Sequence, residues 1–211
     1  MSKYLLAILV PTTPDRRKEY SKLRDEFNRQ RIKYGLIEKV SISYMEDDKT
    51  MTLGEKRELM YKNSNGEYSI QWDSDDWISE DGLYKLVKAL EENLEVDCVT
   101  FNEYCLMNNV EYKSRHSIEY GGWEGDGNRL FEDGFHYHRT PFYKNVIKTS
   151  IAQSVPFKYI RFGEDHEFSN DLKPKLKTEI HLEESIYHYI HNSTDFNERY
   201  GFNNQHKADS N

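Results

Sequence analysis

Asn65-Gly66-Glu67-Tyr68-Ser69-Ile70-Gln71-Trp72-Asp73-Ser74-Asp75-Asp76-Trp77 runs a short strand-like segment straight into three carboxylates within four positions. If Glu67 to Trp72 is a strand, the carboxylates stand at its C-terminal edge. Open α/β sheets bind ligands there, and repulsion among clustered carboxylates favours a divalent cation. Asp73, Asp75 and Asp76 are hard oxygen donors of the kind Mg²⁺ or Mn²⁺ takes, commonly one or two carboxylates completed by substrate phosphates. The same residues also fit an acidic turn capping the helix that begins near Ser79. A third reading makes Asp73 the nucleophile of a phosphatase-like hydrolase. That site belongs more naturally after the first strand, which closes on Pro11-Thr12-Thr13 with no carboxylate before Asp15.

Upstream, Tyr4 to Val10 is a continuous apolar run, the pattern of a central strand covered on both faces. From Pro14 to about Tyr34 the chain is charged, with Tyr20, Leu23, Phe27 and Ile32 at roughly helical intervals, which predicts a surface helix. Ile37 to Tyr44 returns to strand character, and strand, helix, strand opens a parallel α/β unit. Thr52-Leu53-Gly54-Glu55 matches a capping box, predicting a helix to about Asn63 that Asn65-Gly66 ends. Downstream, Ser79-Glu80-Asp81 starts another helix, with Leu83, Leu86, Val87 and Leu90 as its buried stripe.

Val96 to Met107 reads as the next strand, and Asn108-Asn109 turns it into a hairpin with Val110 to Lys113. Gly121 to Gly127 is a glycine-rich loop around Trp123, either a binding loop or a plain surface connection. Phe135 to His138 is a short strand candidate and Pro141 to Ile151 a helix with proline near its first turn. Phe162 to Leu172 reads as a loop leading into a helix whose first turn carries carboxylates, followed by two short strands, Thr178 to Leu182 and Ser185 to Ile190. The expected organisation is a single domain over residues 1–193 and a polar tail over 194–211.

The 211 residues suffice for one well-buried core. Net charge is −8, which disfavours bulk binding of polyanions. Cys98 and Cys105 have neither CxxC spacing nor a secretory leader before them, so they read as reduced. The Lys3 to Val10 run is too short for a membrane span and lacks a cleavage pattern, so a cytoplasmic protein is expected. Asn192-Ser193-Thr194 has the glycosylation-acceptor pattern, read as coincidence on the same grounds.

Other residues carry chemistry in context. Glu164-Asp165 opens a helix, where one carboxylate could act as general base or both could simply favour the helix dipole. Lys56 and Arg57 lie early in a helix, where cations oppose the dipole, so they have either an external anionic partner or a solvated face. His188 and His191 are three apart, hence on opposite faces of a strand, and at most one joins a site.

Taken together, Gly54-Glu55-Lys56-Arg57, the strand Gly66 to Trp72 and Asp73-Ser74-Asp75-Asp76 resemble the corresponding stretch of family 2 glycosyltransferases. The resemblance covers roughly residues 4 to 193. It implies the GT-A fold, a Rossmann-like α/β domain with a mixed, mainly parallel central sheet flanked by helices. It also implies a metal-dependent inverting transferase using a nucleotide-diphosphate-sugar donor, a UDP-sugar, with Mn²⁺ or Mg²⁺. By that resemblance Pro11, Thr12, Thr13 and Arg16 line the nucleotide pocket, and one of Glu46, Asp47 and Asp48 contacts the base. Lys56, Arg57, Asp73 and Ser74 belong to the donor site, Asp75 is the principal metal ligand, and Asp165 is the catalytic base, with Glu164 supporting it or contacting the acceptor. His191 reaches the metal or the diphosphate. The sequence departs from the family pattern in having Tyr44-Met45-Glu46-Asp47-Asp48 for the usual acidic turn and Ile190 where many relatives carry a basic residue. The expected acceptor is a glycan or another hydroxyl. The rivals are a phage-type transferase acting on a hydroxymethylated base in DNA, the phosphatase-like hydrolase, and a non-catalytic module that binds nucleotide-sugar or glycan.

Overall fold

The computed structural model describes residues 3–160 and 163–191. The expected tail at 194–211 and the Asn192-Ser193-Thr194 pattern lie outside them. The central strand is β1 (Tyr4–Thr12), buried from Leu6 onward and paired in parallel with β2 (Val40–Glu46) on one side and β3 (Gly66–Gln71) on the other. Side chains alternate across a strand. Leu6, Ile8 and Val10 therefore pack with Leu23 and Phe27 of α1 (Arg17–Lys33) and Leu86 and Leu90 of α3 (Gly82–Glu92). Ala7 and Leu9 pack on the opposite face with Met60 and Tyr61 of α2 (Leu53–Lys62) and Phe168 of α5 (Glu164–Leu172). A continuous apolar run is what a strand needs when helices cover both its faces.

The predicted α1 stripe is right at Tyr20, Leu23 and Phe27, whereas Ile32 is exposed. Gln30 is buried in its neighbourhood instead. Its amide nitrogen donates to the Ser79 carbonyl at 2.8 Å and its oxygen accepts from the Leu83 amide at 2.9 Å, tying α1 to the start of α3.

Beyond β3 the sheet becomes mixed. The short β4 (Trp77–Ile78) pairs antiparallel with β10 (Glu179–His191), which runs parallel to β5 (Cys98–Met107). β10 unites the two short strands expected at 178–182 and 185–190, with a register shift between Leu182 and Ser185. β5 forms the predicted hairpin with β6 (Val110–His116), and β8 (Tyr137–Arg139) joins β6 and pairs in turn with β7 (Trp123–Glu124). Both cysteines are free, and burial pushes their thiols up.

Pro141 to Ile151 is not one helix. Residues 141–145 form a buried turn in which the Asn145 amide donates to the Phe142 carbonyl at 2.9 Å. β9 (Val146–Lys148) then wedges antiparallel between β3 and β5, and only Thr149–Gln153 is helical, as α4. β-Branched Val146 and Ile147 suit that slot between two strands better than a helix. Ile147 pairs with both Ser69 and Cys98, so these two residues lie level across the sheet. Counting forward along two parallel strands, Asn102 is level with Asp73. The hairpin that begins pairing at Asn102 therefore extends past the end of β3, and the β6–β8–β7 arm overhangs the sheet's C-terminal edge.

Candidate active site

A cleft of about 730 Å³ opens between the C-terminal ends of β1 and β3 and this arm. On its first side Pro11, Thr12 and Thr13 leave β1 along the wall. Lys56 donates to the Thr12 carbonyl at 2.8 Å and pairs with Asp47, whose other oxygen accepts from the Met51 amide at 3.0 Å. The Thr52 hydroxyl accepts from the Glu55 amide at 3.2 Å, so the predicted cap starts α2 at the cleft. Arg16 reaches across to Asp75 at 3.1 Å, and Ser74 lies beside it on the wall. Glu46 pairs with Arg17 at 2.5 Å and does not line the cleft. Asp47 is thus the carboxylate among Glu46, Asp47 and Asp48 that does.

Lys56 and Arg57 are not on a solvated face, being only 4% and 1% exposed. The Arg57 guanidinium donates to Asp73 at 2.8 Å and to Gln71 at 3.1 Å, and it lies 3.7 Å from Glu164. Its flat face stacks on the Tyr143 ring at 3.5 Å, and the Tyr143 hydroxyl donates to the second Asp73 oxygen at 2.8 Å. Burial opposes the Asp73 charge, but Arg57 and Lys144 overcome it and hold the carboxyl well below the usual range. Glu164 differs. Burial there outweighs the pull of Arg57, Asp165 adds repulsion, and the carboxyl is raised.

Glycine at 54 is what lets α2 lie this close. A Cβ there would sit 2.3 Å from the Lys158 carbonyl oxygen and 3.5 Å from the Glu164 side chain. Gly163 precedes α5 with φ of +83°, a left-handed conformation that glycine adopts without strain. It delivers Glu164 to Arg57 and Asp165 to the cleft wall, where one Asp165 oxygen accepts from the His166 amide at 2.9 Å.

Asp76 faces inward. It accepts from the Tyr187 hydroxyl at 2.7 Å and the Ile190 amide at 3.0 Å, bolting the acidic turn to β10. Trp72, fully buried, stacks on the Tyr187 ring at 4.3 Å and belongs to the core. Trp123 donates to Ser169 at 3.3 Å and packs against Phe142, so the glycine-rich loop is anchored by its aromatic.

Residues 30–158 match the family model described as glycosyl transferase family 2. The chain belongs to glycosyl transferase family 2. No curated protein matches it. Among solved structures, S. aureus TarS residues 1–349 aligns with TM-score 0.60 and 14% identity, over 88% of this chain and 60% of that one. The same fragment in complex with UDP-GlcNAc aligns with TM-score 0.58 and 14% identity, over 88% of this chain and 58% of that one. Its complex with UDP aligns with TM-score 0.58 and 14% identity, over 88% and 60%. At that identity the likeness is one of fold, and the family 2 chain described here spans about 60% of the TarS fragment.

Among the described residues no three His, Cys, Asp or Glu side chains gather as a metal cage. Asp73 is engaged by Arg57 and Tyr143, and Asp76 by Tyr187 and Ile190. Asp75 lines the cleft beside Arg16. One carboxylate completed by diphosphate oxygens and water is a donor set that Mg²⁺ or Mn²⁺ accepts, so the residues fit a cation that arrives with its substrate. His191 ends β10 on the same strand face as Tyr189, its ring 6.3 Å away and near parallel, but only Tyr189 lines the cleft.

Sequence reasoning overlooked the charged floor of this family 2 site. Lys144, also on the cleft, pairs with Glu103 at 3.0 Å and lies 3.5 Å from Asp76. Burial disfavours both charges, yet the pair drives the Glu103 carboxyl down and the Lys144 ammonium well up. His116 lies 3.4 Å from Glu103 and burial lowers its imidazole. Glu103 gave a signal, since a carboxylate within a strand that the core buries requires a partner.

Proposed function

We propose that this chain transfers a sugar from a UDP-sugar to an acceptor hydroxyl with inversion at the anomeric carbon. The observation that carries the reading is Arg57, one buried guanidinium that holds Asp73 from the acidic turn and Glu164 beside Asp165 on a single cleft. Two acidic motifs far apart in sequence thereby face one substrate volume, with cations distributed along it. The UDP and UDP-GlcNAc complexes of the similar fold support the donor class.

In this reading the nucleotide lies along Pro11 to Thr13, with Asp47 and Lys56 near the base and Asp73 and Ser74 towards the ribose and sugar. Asp165 accepts the proton of the acceptor hydroxyl as its oxygen bonds to the anomeric carbon. The bond from that carbon to the β-phosphate oxygen breaks, and the electron pair leaves with the diphosphate. A single displacement inverts the centre. Asp75 would hold a Mn²⁺ or Mg²⁺ ion, whereas His191, expected to reach it, stays off the cleft. Such an ion, when bound, neutralises charge on the departing diphosphate. Arg16 positions Asp75, and Glu164 with Arg57 fixes the approach of the base. Asp73, tied by Arg57 and Tyr143, is poorly placed to act as a phosphatase nucleophile.

Mass spectrometry of slow donor hydrolysis across a nucleotide-sugar panel, with Mn²⁺ and with Mg²⁺, tests the reading. A UDP-sugar should be cleaved, and Asp75→Ala should abolish metal-dependent UDP binding in calorimetry. Phosphate release from simple esters with no nucleotide-sugar cleavage would replace the reading by a hydrolase. UDP binding without turnover on glycans or on hydroxymethylated DNA would replace it by a binding module.

A further inference from the structure

Among the described residues six cationic side chains line the cleft, and five of them face a carboxylate. Lys49 pairs with Asp15, Lys56 with Asp47, Arg16 with Asp75, Arg57 with Asp73 and Lys144 with Glu103. Arg139 is the exception. Among the described residues its guanidinium makes no ion pair, and its Nε is buried without a hydrogen-bond partner. Glu103 feels its charge, but that carboxylate is already committed to Lys144 and His116.

The side chain is nevertheless held in place. Its guanidinium carbon lies 4.6 Å from the Trp123 ring centroid and 5.3 Å from that of Tyr137. Trp123 is fixed in turn by Ser169 and Phe142. Arginine stacked on aromatic faces keeps its planar fork of donors free for phosphate or carboxylate. A desolvated donor left without an acceptor costs free energy that a bound anion would recover. Arg139 stands on β8, in the arm that overhangs the sheet, whereas the loops expected to hold the nucleotide leave β1 and β3.

We propose that Arg139 binds an anionic group of the acceptor, so that the molecule receiving the sugar carries a phosphate or carboxylate near its reactive hydroxyl. The proposal rests on the reading of the cleft as a transfer site, and UDP binding tests that reading separately. With the full chain saturated with UDP and Mn²⁺, so that the diphosphate subsite is filled, calorimetry or ligand-observed NMR measures binding of glycerol phosphate, glucuronate and neutral glycerol. At least one anion should bind and glycerol should not. Arg139→Gln should weaken that anion by about 10-fold or more, the size expected for a hydrogen bond to a charged group, while UDP affinity stays the same. Arg139→Lys should restore part of the loss, because it returns the charge without the fork. Glycerol phosphate binding without glucuronate, or the reverse, identifies the anion. The proposal is overturned if neither anion binds the UDP-loaded chain, if Arg139→Gln leaves anion binding intact, or if it instead weakens UDP or selectively weakens UDP-glucuronate. Failure of UDP itself to bind would strike the transfer reading.

Discussion

Replacing Arg57 by methionine keeps most of the side-chain volume and removes only the guanidinium. In the folded chain that group neutralises Asp73 at 2.8 Å and faces Glu164 at 3.7 Å, while its own side chain is almost wholly out of water. Removing one partner of a buried pair and leaving the other charged costs about 3–5 kcal/mol. For a domain of this size that is a fall in melting temperature of about 6–20 °C. Adding Asp73→Asn removes the stranded charge and still offers Tyr143 an acceptor. The double variant should therefore be about 1–3 kcal/mol more stable than the sum of the two single losses. pH gives a second check. Asp73 has a folded pKa depressed by Arg57 and Lys144, so its stabilisation is full above the unfolded value near ~3.9 and is lost as pH falls through the lower folded value. The gap between wild type and Arg57→Met should thus narrow on acidification below about pH 4. Thermal and urea unfolding of the four proteins measure all of this. A single-variant loss under about 1 kcal/mol, additive losses, or a gap independent of pH would refute the assignment of Arg57 as the electrostatic tie.

Asp165→Asn should lower transfer by about 10²–10⁴-fold, the usual worth of a general base, with UDP affinity unchanged by calorimetry; a parallel loss of both would move Asp165 to the donor site. Glu164 carries the opposite pH signature from Asp73. Its folded pKa is raised by burial, so its contribution is most favourable below the unfolded value near ~4.3 and is lost as pH rises through the folded value. Glu164→Gln should therefore gain melting temperature relative to wild type between pH 4 and pH 8, and a constant difference would contradict the raised carboxyl. Gly54→Ala forces a methyl to within 2.3 Å of the Lys158 carbonyl oxygen. Overpacking of that kind costs about 1–3 kcal/mol, read as a lower denaturation midpoint, and an unaffected midpoint would mean α2 is free to shift.

Most of the fold is legible in the chain because its determinants are local. β1 is an unbroken apolar run, α3 keeps Leu83, Leu86, Val87 and Leu90 on one buried stripe, and the Thr52 hydroxyl caps α2. Failure came where a segment's structure depends on distant partners. Val146 to Lys148 is extended because β3 and β5 leave a slot between them, and nothing within residues 141–151 encodes that slot. Gln30 continues the spacing of Tyr20, Leu23 and Phe27, and only its polarity argues for an outward position. It is buried because the backbone at Ser79 and Leu83 presents both an acceptor and a donor to its amide.

The site divides along the same line. The acidic residues were legible because each follows the end of a strand or opens a helix, and such positions are few. Their counter-charges were not. Arg57, read from sequence as ambiguous, is the residue through which the two motifs meet, and Lys144 was absorbed into a helix that does not form. A charge within a strand flanked by apolar residues, as Glu103 is between Phe101 and Leu106, says only that a partner exists. Which cation answers depends on β9 returning the chain between β3 and β5, so that Lys144 arrives beside a carboxylate 41 residues earlier. The same dependence gives the unpaired cation its meaning. Once the other cations of the cleft are matched to carboxylates, Arg139 can be recognised as the one that, among the described residues, has none.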